Sequence, residues 1–408
     1  MKRIQKKRDF ERKTLQTVID RILKKRGAIQ VLAGPRQVGK TTMMRQLAAK
    51  NLCFTMFYSA EQEVVPDYLW IDRIWQKARD TMEERGEKTA ILIIDEVQRV
   101  EDWSQRVKAH WDKDTWDKLD LRVILLGSSR LLLKQGLTES LMGRFEIIPV
   151  DHWSLAEMQE IYEITPEEYI WFGGYPGAAE YTNDEERYKL YVRDSIIETS
   201  ITKDILMLTR IDKPELLRQL FEIGTIYSSQ IVSYTKILGQ LQGKGNAATL
   251  IRYGDTLSQS QLLTPLNRYS TNQFSIRKST PKFQTHNMAL FSTLLNMTFA
   301  EAKQDHVLWG RMIESAVGAW LLSQANHNPY MKVFYWRDRS VEVDFVVQHG
   351  NKLLAIEVKS TVLEEPIKNL EVFRHRFPKV KTLVVGADAL ADVTWQDFLK
   401  TNIMDFFD

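Results

Sequence analysis

The chain has a single cysteine, Cys53, among 408 residues. An internal disulfide and a zinc site built on cysteines are therefore excluded. No apolar run is long enough to cross a bilayer, so a membrane partner is not expected. Charge of one sign is scarce too. Against 56 Lys and Arg stand 53 Asp and Glu, and the formal net charge of +3 is too small to imply a nucleic-acid partner by itself. Eleven of the basic residues crowd into the first 26, between Lys2 and Arg26. No apolar core comes after them, so a secretory signal is not expected and a cytoplasmic location is. This stretch reads as a solvated, partly helical leader in preference to a phosphate-contacting face. Hydrophobic content of 44% and charged content of 27% suit a soluble globular chain, whose length allows two or three domains.

What is present is more specific. Gly34-Pro35-Arg36-Gln37-Val38-Gly39-Lys40-Thr41, followed by Thr42, is a complete G-x-x-x-x-G-K-[ST] loop after the apolar run Ala28–Ala33. A strand delivers the chain into a glycine-rich turn, and the next helix points its amide end at phosphates. Gly34 and Gly39 let backbone N–H groups close around the anion. Lys40 is placed to reach the β- and γ-phosphates of ATP, and the Thr41 hydroxyl to ligate Mg2+. A second signature is Ile91-Leu92-Ile93-Ile94-Asp95-Glu96, an apolar strand ending in two carboxylates. Asp95 is expected to hold Mg2+ through water, and Glu96 to deprotonate the water that attacks the γ-phosphate.

Strands expected at Ile29–Ala33, Phe54–Ser59, Ala90–Ile94, Arg122–Gly127 and Phe145–Val150 alternate with helical stretches at Lys40–Ala49, Tyr68–Glu84 and Trp103–Trp116. That alternation predicts an α/β parallel sheet with its ligand beyond the C-terminal strand ends. Ser128, at the tip of the fourth strand, is positioned to sense the γ-phosphate, although Gly-Ser-Ser is also ordinary turn chemistry. Arg144, just before the fifth strand, can contact phosphate in its own subunit or a neighbour's, or serve as a structural arginine.

After Val150 the pattern turns helical, broken by Phe172-Gly173-Gly174-Tyr175-Pro176-Gly177, which is expected to join the first unit to the remainder of the chain. Pro214–Ser228, Ser233–Gln242 and Ala247–Ser258, with Asn246 as a cap and Leu262–Tyr269 as a strand, suggest a winged-helix unit. Its third helix offers only Asn246 and Arg252, with Lys244 in the preceding turn. Packing or a protein partner is therefore preferred to DNA contact.

Near the C-terminus, Val341–Val347 and Leu353–Lys359 read as two strands joined by a hairpin at Gln348-His349-Gly350-Asn351. Glu357 and Lys359 share a face, and antiparallel pairing can bring Asp344 to it. Glu314, on a helix at Trp309–Ser323, can add a third carboxylate. Such a set can bind Mg2+ or Mn2+ and activate water against a phosphodiester, or it can be a charged pair on a solvated sheet. Asp344 and Glu357 interrupt strongly apolar strands, which favours a pocket.

Together these motifs resemble AAA-type ATPases of bacteria and archaea, whose C-terminal domain of unknown function is similar to the restriction-endonuclease-like fold of PD-(D/E)xK nucleases. The resemblance rests on Gly34–Thr42, Ile91–Gln98, Gly127-Ser128-Ser129, Gly143-Arg144, Gly173-Gly174-Tyr175-Pro176, Tyr335-Trp336-Arg337-Asp338 and Glu342–Lys359. It implies Lys40 and Thr41 on ATP and Mg2+, Asp95 on Mg2+, Glu96 as base, Ser128 as sensor and Arg144 as an arginine contact. It further implies a nuclease-like site of Glu314, Asp344, Glu357 and Lys359. One departure stands out: relatives usually read Lys-x-Tyr-Phe-x-Asp-x-Gly-Leu, where this chain runs from Lys282 to Leu290 with Asn287 and Ala289. The expected domains are a P-loop ATPase over 1–150, a helical and winged-helix unit over 151–275, and a nuclease-like α/β domain over 276–408. The expected function is an ATP-hydrolysing switch controlling the C-terminal module. The alternatives are an ATP-regulated metal-dependent nuclease of DNA or RNA, and an ATP-gated DNA- or protein-binding regulator with a degenerate nuclease fold. An oligomer is compatible with any of them.

Overall fold

A computed structural model describes residues 10–62, 66–127, 140–206, 211–241, 245–272, 279–360, 367–387 and 390–407. The chain forms two compact units, one ending at Asp151 and one running from His152.

The first unit is built on five strands: β1 (Ile29–Ala33), β2 (Phe54–Ser59), β3 (Thr89–Asp95), β4 (Asp120–Gly127) and β5 (Phe145–Pro149). They pair in the order β2-β3-β4-β1-β5, all parallel. Every residue of β1 is buried, and so are all of β3 after Thr89. A strand covered on both faces has no use for alternation, which is why these read as unbroken apolar runs. Leu32, Ile93 and Leu126 pack with the helices Lys13–Lys24 and Lys40–Ala49 on one face. Val31, Leu92, Ile94 and Leu125 pack on the other with Trp75 and Trp111 of the helices Trp70–Arg85 and Trp103–Trp116. Each fully buried side chain of this size contributes ~1.5–3 kcal/mol. The sheet is therefore a rigid floor for whatever its C-terminal edge carries.

In the second unit one apolar core runs from Leu155 through Phe283 and Phe345 to Phe407, so the segments expected over 151–275 and 276–408 share it. Helices Leu155–Tyr162 and Pro166–Phe172 open with capping boxes, Ser154 with Glu157 and Thr165 with Glu168. The glycine loop after the second of them lies inside this unit rather than joining it to the first. Its glycines permit close backbone approach. A Cβ at Gly173 would lie 2.0 Å from Asn287 Oδ1, and one at Gly174 would lie 2.1 Å from the Trp153 carbonyl.

Three helices, Pro214–Ile226, Tyr234–Leu238 and Ala247–Gln259, precede an antiparallel hairpin of β6 (Leu263–Leu266) and β7 (Lys282–Thr285). Asn246 caps the third helix, accepting from Thr249 N at 2.8 Å. Arg252 on that helix is engaged by Asp212 at 3.0 Å, and Lys244 lies outside the described residues. The chain then forms the helix His306–His327 and an antiparallel meander of β8 (Met331–Asp338), β9 (Val341–His349) and β10 (Lys352–Val358). After the helix Lys368–Arg376 come β11 (Val380–Gly386), parallel to β10, and the short β12 (Val393–Thr394) at the sheet's edge. Among the described residues no helix is long and apolar enough to cross a membrane.

Candidate functional site

The loop from Gly34 to Thr41 closes the C-terminal end of β1. Gly34 is obligatory by contact, because a Cβ there would sit 1.8 Å from the Val150 carbonyl. Gly39, the residue before the helix Lys40–Ala49, adopts φ +91°, a region where L side chains are strained. Gln37 is also left-handed, at φ 58°. Pro35 and Val38 are buried, Arg36 half-buried, and Thr42 exposed on the helix. The guanidinium of buried Arg12 donates to the Val38 carbonyl at 3.2 Å and to the Asp151 carbonyl at 2.9 Å, bracing the loop from beneath. In the sequence Arg12 is only one of a basic leader. Its single position just ahead of an amphipathic helix carries no signal of this contact.

Within the loop, Lys40 folds back and donates to the carbonyls of Gly34 at 2.8 Å and Pro35 at 2.6 Å. The Thr41 hydroxyl donates to Asp95 Oδ2 at 2.8 Å, joining the helix start to the end of β3. Burial raises the Asp95 pKa above the ordinary carboxylate value, and the Thr41 hydrogen bond and Lys40 charge partly offset it. Glu96, in the left-handed region at φ 53°, leaves the strand sharply and presents its carboxylate beside the loop. Gln98 Nε2 donates to it at 2.7 Å, and Arg36 stands 4.0 Å away. Both neighbours lie within the two motifs, yet neither motif assigns them to Glu96.

The structure thus brings Lys40, Thr41, Asp95 and Glu96 to one edge. A hydroxyl and a carboxylate in mutual contact are the hard oxygen donors Mg2+ takes alongside nucleotide phosphates, so these residues fit that ion. Ser128 lies outside the described residues. Arg144 is not brought to the site. Its backbone carbonyl accepts from Ile29 N, which puts it at the opposite end of β1 from Gly34. There Asp112 holds its guanidinium through both oxygens, at 2.7 and 3.0 Å.

A second carboxylate group lies in the other unit, where β9 and β10 part. Their last pair is Phe345 with Ile356. One step further Asp344 and Glu357 would face each other, but Asp344 Oδ2 accepts instead from Val358 N at 2.8 Å. Gly318 lets the helix His306–His327 approach β7, since a Cβ there would meet Gln284 Oε1 at 2.1 Å. Glu314, one turn earlier, reaches the cluster. At its centre stands the wholly buried ammonium of Lys282, 2.5 Å from Glu314 Oε1, 3.3 Å from Glu342 Oε1 and 3.5 Å from Asp344 Oδ1. Beside it Lys359 donates to Glu357 Oε1 at 2.8 Å, and Asn369 approaches the same oxygen at 3.4 Å. Burial and then the Asp344 charge push Glu314 up to about 8 and Glu357 up to about 7, against the opposing pull of the lysines.

The four expected residues do come near one another, but in the company of two that were not expected. Glu342 was legible as the residue two before Asp344 on the same strand face. Lys282 was visible only as the first letter of the divergent motif. Asn287, the departure in that motif, caps the helix Met288–Thr293 through Oδ1, which accepts from Ala289 N at 3.0 Å and Gly174 N at 3.1 Å. An aspartate would offer the same acceptor, so the change leaves this anchoring intact. The carboxylates around Lys282 do not fit a divalent metal as arranged, because an ammonium already takes three of their oxygens. Among the described residues no group of His, Cys, Asp or Glu is set to hold a metal on its own.

Residues 26–159 match the family model of an AAA domain. Residues 165–301 and 309–404 match two families described as domains of unknown function. An uncharacterized protein of Mycobacterium bovis and one of Mycobacterium tuberculosis are each 24% identical over 383 residues, 90% of this chain and 81% of theirs. Among solved structures, the Holliday junction branch migration motor RuvB of Thermotoga maritima aligns with 62% of this chain and 89% of its own, at 17% identity and a TM-score of 0.35.

Proposed function

We propose that the AAA-type domain binds and hydrolyses ATP with Mg2+ and uses that cycle to switch a C-terminal module of nuclease-like fold. The observation that carries the first half is the Thr41–Asp95 contact of 2.8 Å, set beside the Lys40 loop and directly before Glu96. Bound Mg2+ would supply charge neutralisation between the phosphates, with Thr41 and Asp95 holding it. Lys40 exchanges the carbonyls of Gly34 and Pro35 for phosphate oxygens, which are better partners for an ammonium. Glu96 takes the proton of the attacking water. Gln98 donates to its carboxylate and Arg36 stands 4.0 Å from it, and a γ-phosphate that attracts Arg36 would draw that guanidinium away.

Arg144 is too far along the sheet to serve its own phosphates, so its nucleotide contact is read as one made to a neighbouring copy in an oligomer. The nuclease-like reading is supported by the order helix, three antiparallel strands, helix, parallel strand in the C-terminal region. The Lys282 ammonium favours a module that binds nucleic acid or protein over one that cleaves.

ATP turnover by the full chain tests the first half. Glu96→Gln should keep ATP binding while turnover falls by ~10²–10⁴-fold, the usual span for a positioned base. Turnover that survives the change removes Glu96 from this role. Incubation with plasmid and single-stranded substrates in Mg2+ or Mn2+ tests the second. Cleavage lost on Asp344→Ala would establish a working nuclease, whereas salt-sensitive binding without cleavage would favour a nucleic-acid binder.

A further inference from the structure

The carboxylate cluster of the second unit raises a question separate from ATP: what neutralises it. Three acidic side chains, Glu314, Glu342 and Asp344, come from a helix and from one face of β9. Grouped carboxylates repel one another in a protein interior and need a cation among them. In many proteins that cation is a divalent metal taken from solvent. Here the chain contributes its own. Lys282 lies on β7, whose main chain is fixed on both sides, by pairing with Leu266 of β6 and by a bridge to Ile231. Its side chain is 0% exposed and ends among four oxygens, the three carboxylates and the Asp344 carbonyl at 3.3 Å. The Phe345 ring, with its centroid 5.1 Å from the ammonium, covers another side. An ammonium has three protons to give, and this cage offers an acceptor for each.

We propose that Lys282 is a built-in cation that occupies the place of a divalent metal in this cluster, so that the folded site takes no metal. The separation of roles between the two lysines supports it. Lys359 sits at the edge, 37% exposed and bound to Glu357 among the described residues, while Lys282 sits at the centre and bridges carboxylates from two elements. A centre already filled by a fixed positive charge repels a second cation at contact distance. Both oxygens of Asp344 are engaged, Oδ1 by Lys282 at 3.5 Å and Oδ2 by Val358 N at 2.8 Å. Exchange of the ammonium for metal requires β7 to shift, which ties access to this cluster to the hairpin of β6 and β7.

The test is a titration of the full chain with Mn2+ in the absence of nucleotide, counting bound ions by electron paramagnetic resonance. The same titration is run on Asp344→Asn, on Lys282→Met, and on the double variant. Wild type should bind no ion that Asp344→Asn removes. Lys282→Met, which keeps the apolar stem, should gain one ion per chain, tighter than wild type by at least ~10–100-fold, the range by which partners of metal ligands alter affinity. The double variant should lose it. An ion on wild type that disappears with Asp344→Asn overturns the proposal, and so does a folded Lys282→Met that gains none. Should Lys282→Met fail to fold, the wild-type and Asp344→Asn titrations decide alone. No ATP enters this experiment, so its outcome is independent of whether the first unit hydrolyses nucleotide.

Discussion

Two sites in this chain gather carboxylates at the ends of apolar strands, and they solve the resulting repulsion in opposite ways. At the end of β3, Asp95 is met by a hydroxyl, and the nearby ammonium of Lys40 is turned onto loop carbonyls. At the parting of β9 and β10, Glu314, Glu342 and Asp344 are met by a lysine of the chain itself. The first arrangement offers oxygen donors of the kind Mg2+ takes beside phosphates. The second is complete without it. What separates them is where the nearest lysine is rooted. Lys40 stands on the first turn of a helix that follows the glycine loop, and Lys282 on a strand pinned inside the fold. Acidic residues at strand ends are therefore a weak sign of metal until the chain's own cations are located.

Replacing each lysine is the most direct way to break this comparison. Lys282→Ala should destabilise the second unit by ~3–5 kcal/mol, because it strands buried carboxylates without a partner. Urea unfolding of the full chain, followed through the transition of that unit, measures it, and a change below ~1 kcal/mol would mean the cage is not dry. Lys40→Ala should leave stability nearly unchanged, since its present partners are carbonyls that water can satisfy. Its cost falls on ATP instead, about 1.5–3 kcal/mol or roughly 10- to 100-fold in affinity by calorimetry. Equal stability losses in the two variants would erase the distinction drawn between the sites.

A smaller effect probes the scaffold under the first site. Gly34→Ala must push the loop off the residue that follows β5, because the new methyl would overlap the Val150 carbonyl at 1.8 Å. A loss of ~1–3 kcal/mol in stability is expected, together with weakened ATP binding. Gly350→Ala, at φ +57° in the turn between β9 and β10 with open space around it, should cost stability alone. If Gly34→Ala bound ATP normally, the close approach of loop and strand would not be needed to shape the phosphate cradle.

Much of the first unit was legible because its local and tertiary signals agree. β1, β2 and the helix Lys40–Ala49 fall on the residues that the apolar runs and the glycine loop indicated. Buried parallel strands announce themselves by composition, and a phosphate loop by spacing. The second unit was legible in its elements and less so in its site. The parting of β9 from β10 at Asp344 follows from hydrogen bonding that no alternation records. Lys282 lies 62 residues before Asp344, and its insertion depends on a helix–strand approach licensed by Gly318. Arg144 illustrates the converse limit. Its place before β5 was read correctly along the chain, but only pairing with Ile29 reveals which end of the sheet that is.

The finest distinction between the sites is in how they respond to pH. Burial and neighbouring charge raise Glu314 from 4.5 to about 8, so the folded chain holds a proton there that the unfolded chain releases. The stability this contributes is full below pH 4.5 and is lost as pH rises through about 8. Glu357, raised to about 7, adds to the loss in the lower part of that window only. Between those two values Glu314 is therefore the main group of the cluster still giving up its proton. Stability should fall there by up to ~1.4 kcal/mol per pH unit, the limit for one proton. Glu314→Gln, which keeps the shape and stays neutral, should flatten that slope without altering ATP binding. Urea melts in small steps above neutral pH provide the measurement. A wild-type slope already flat would mean that Glu314 is ionised in the native cluster, with Lys282 strong enough to hold all three carboxylates as anions.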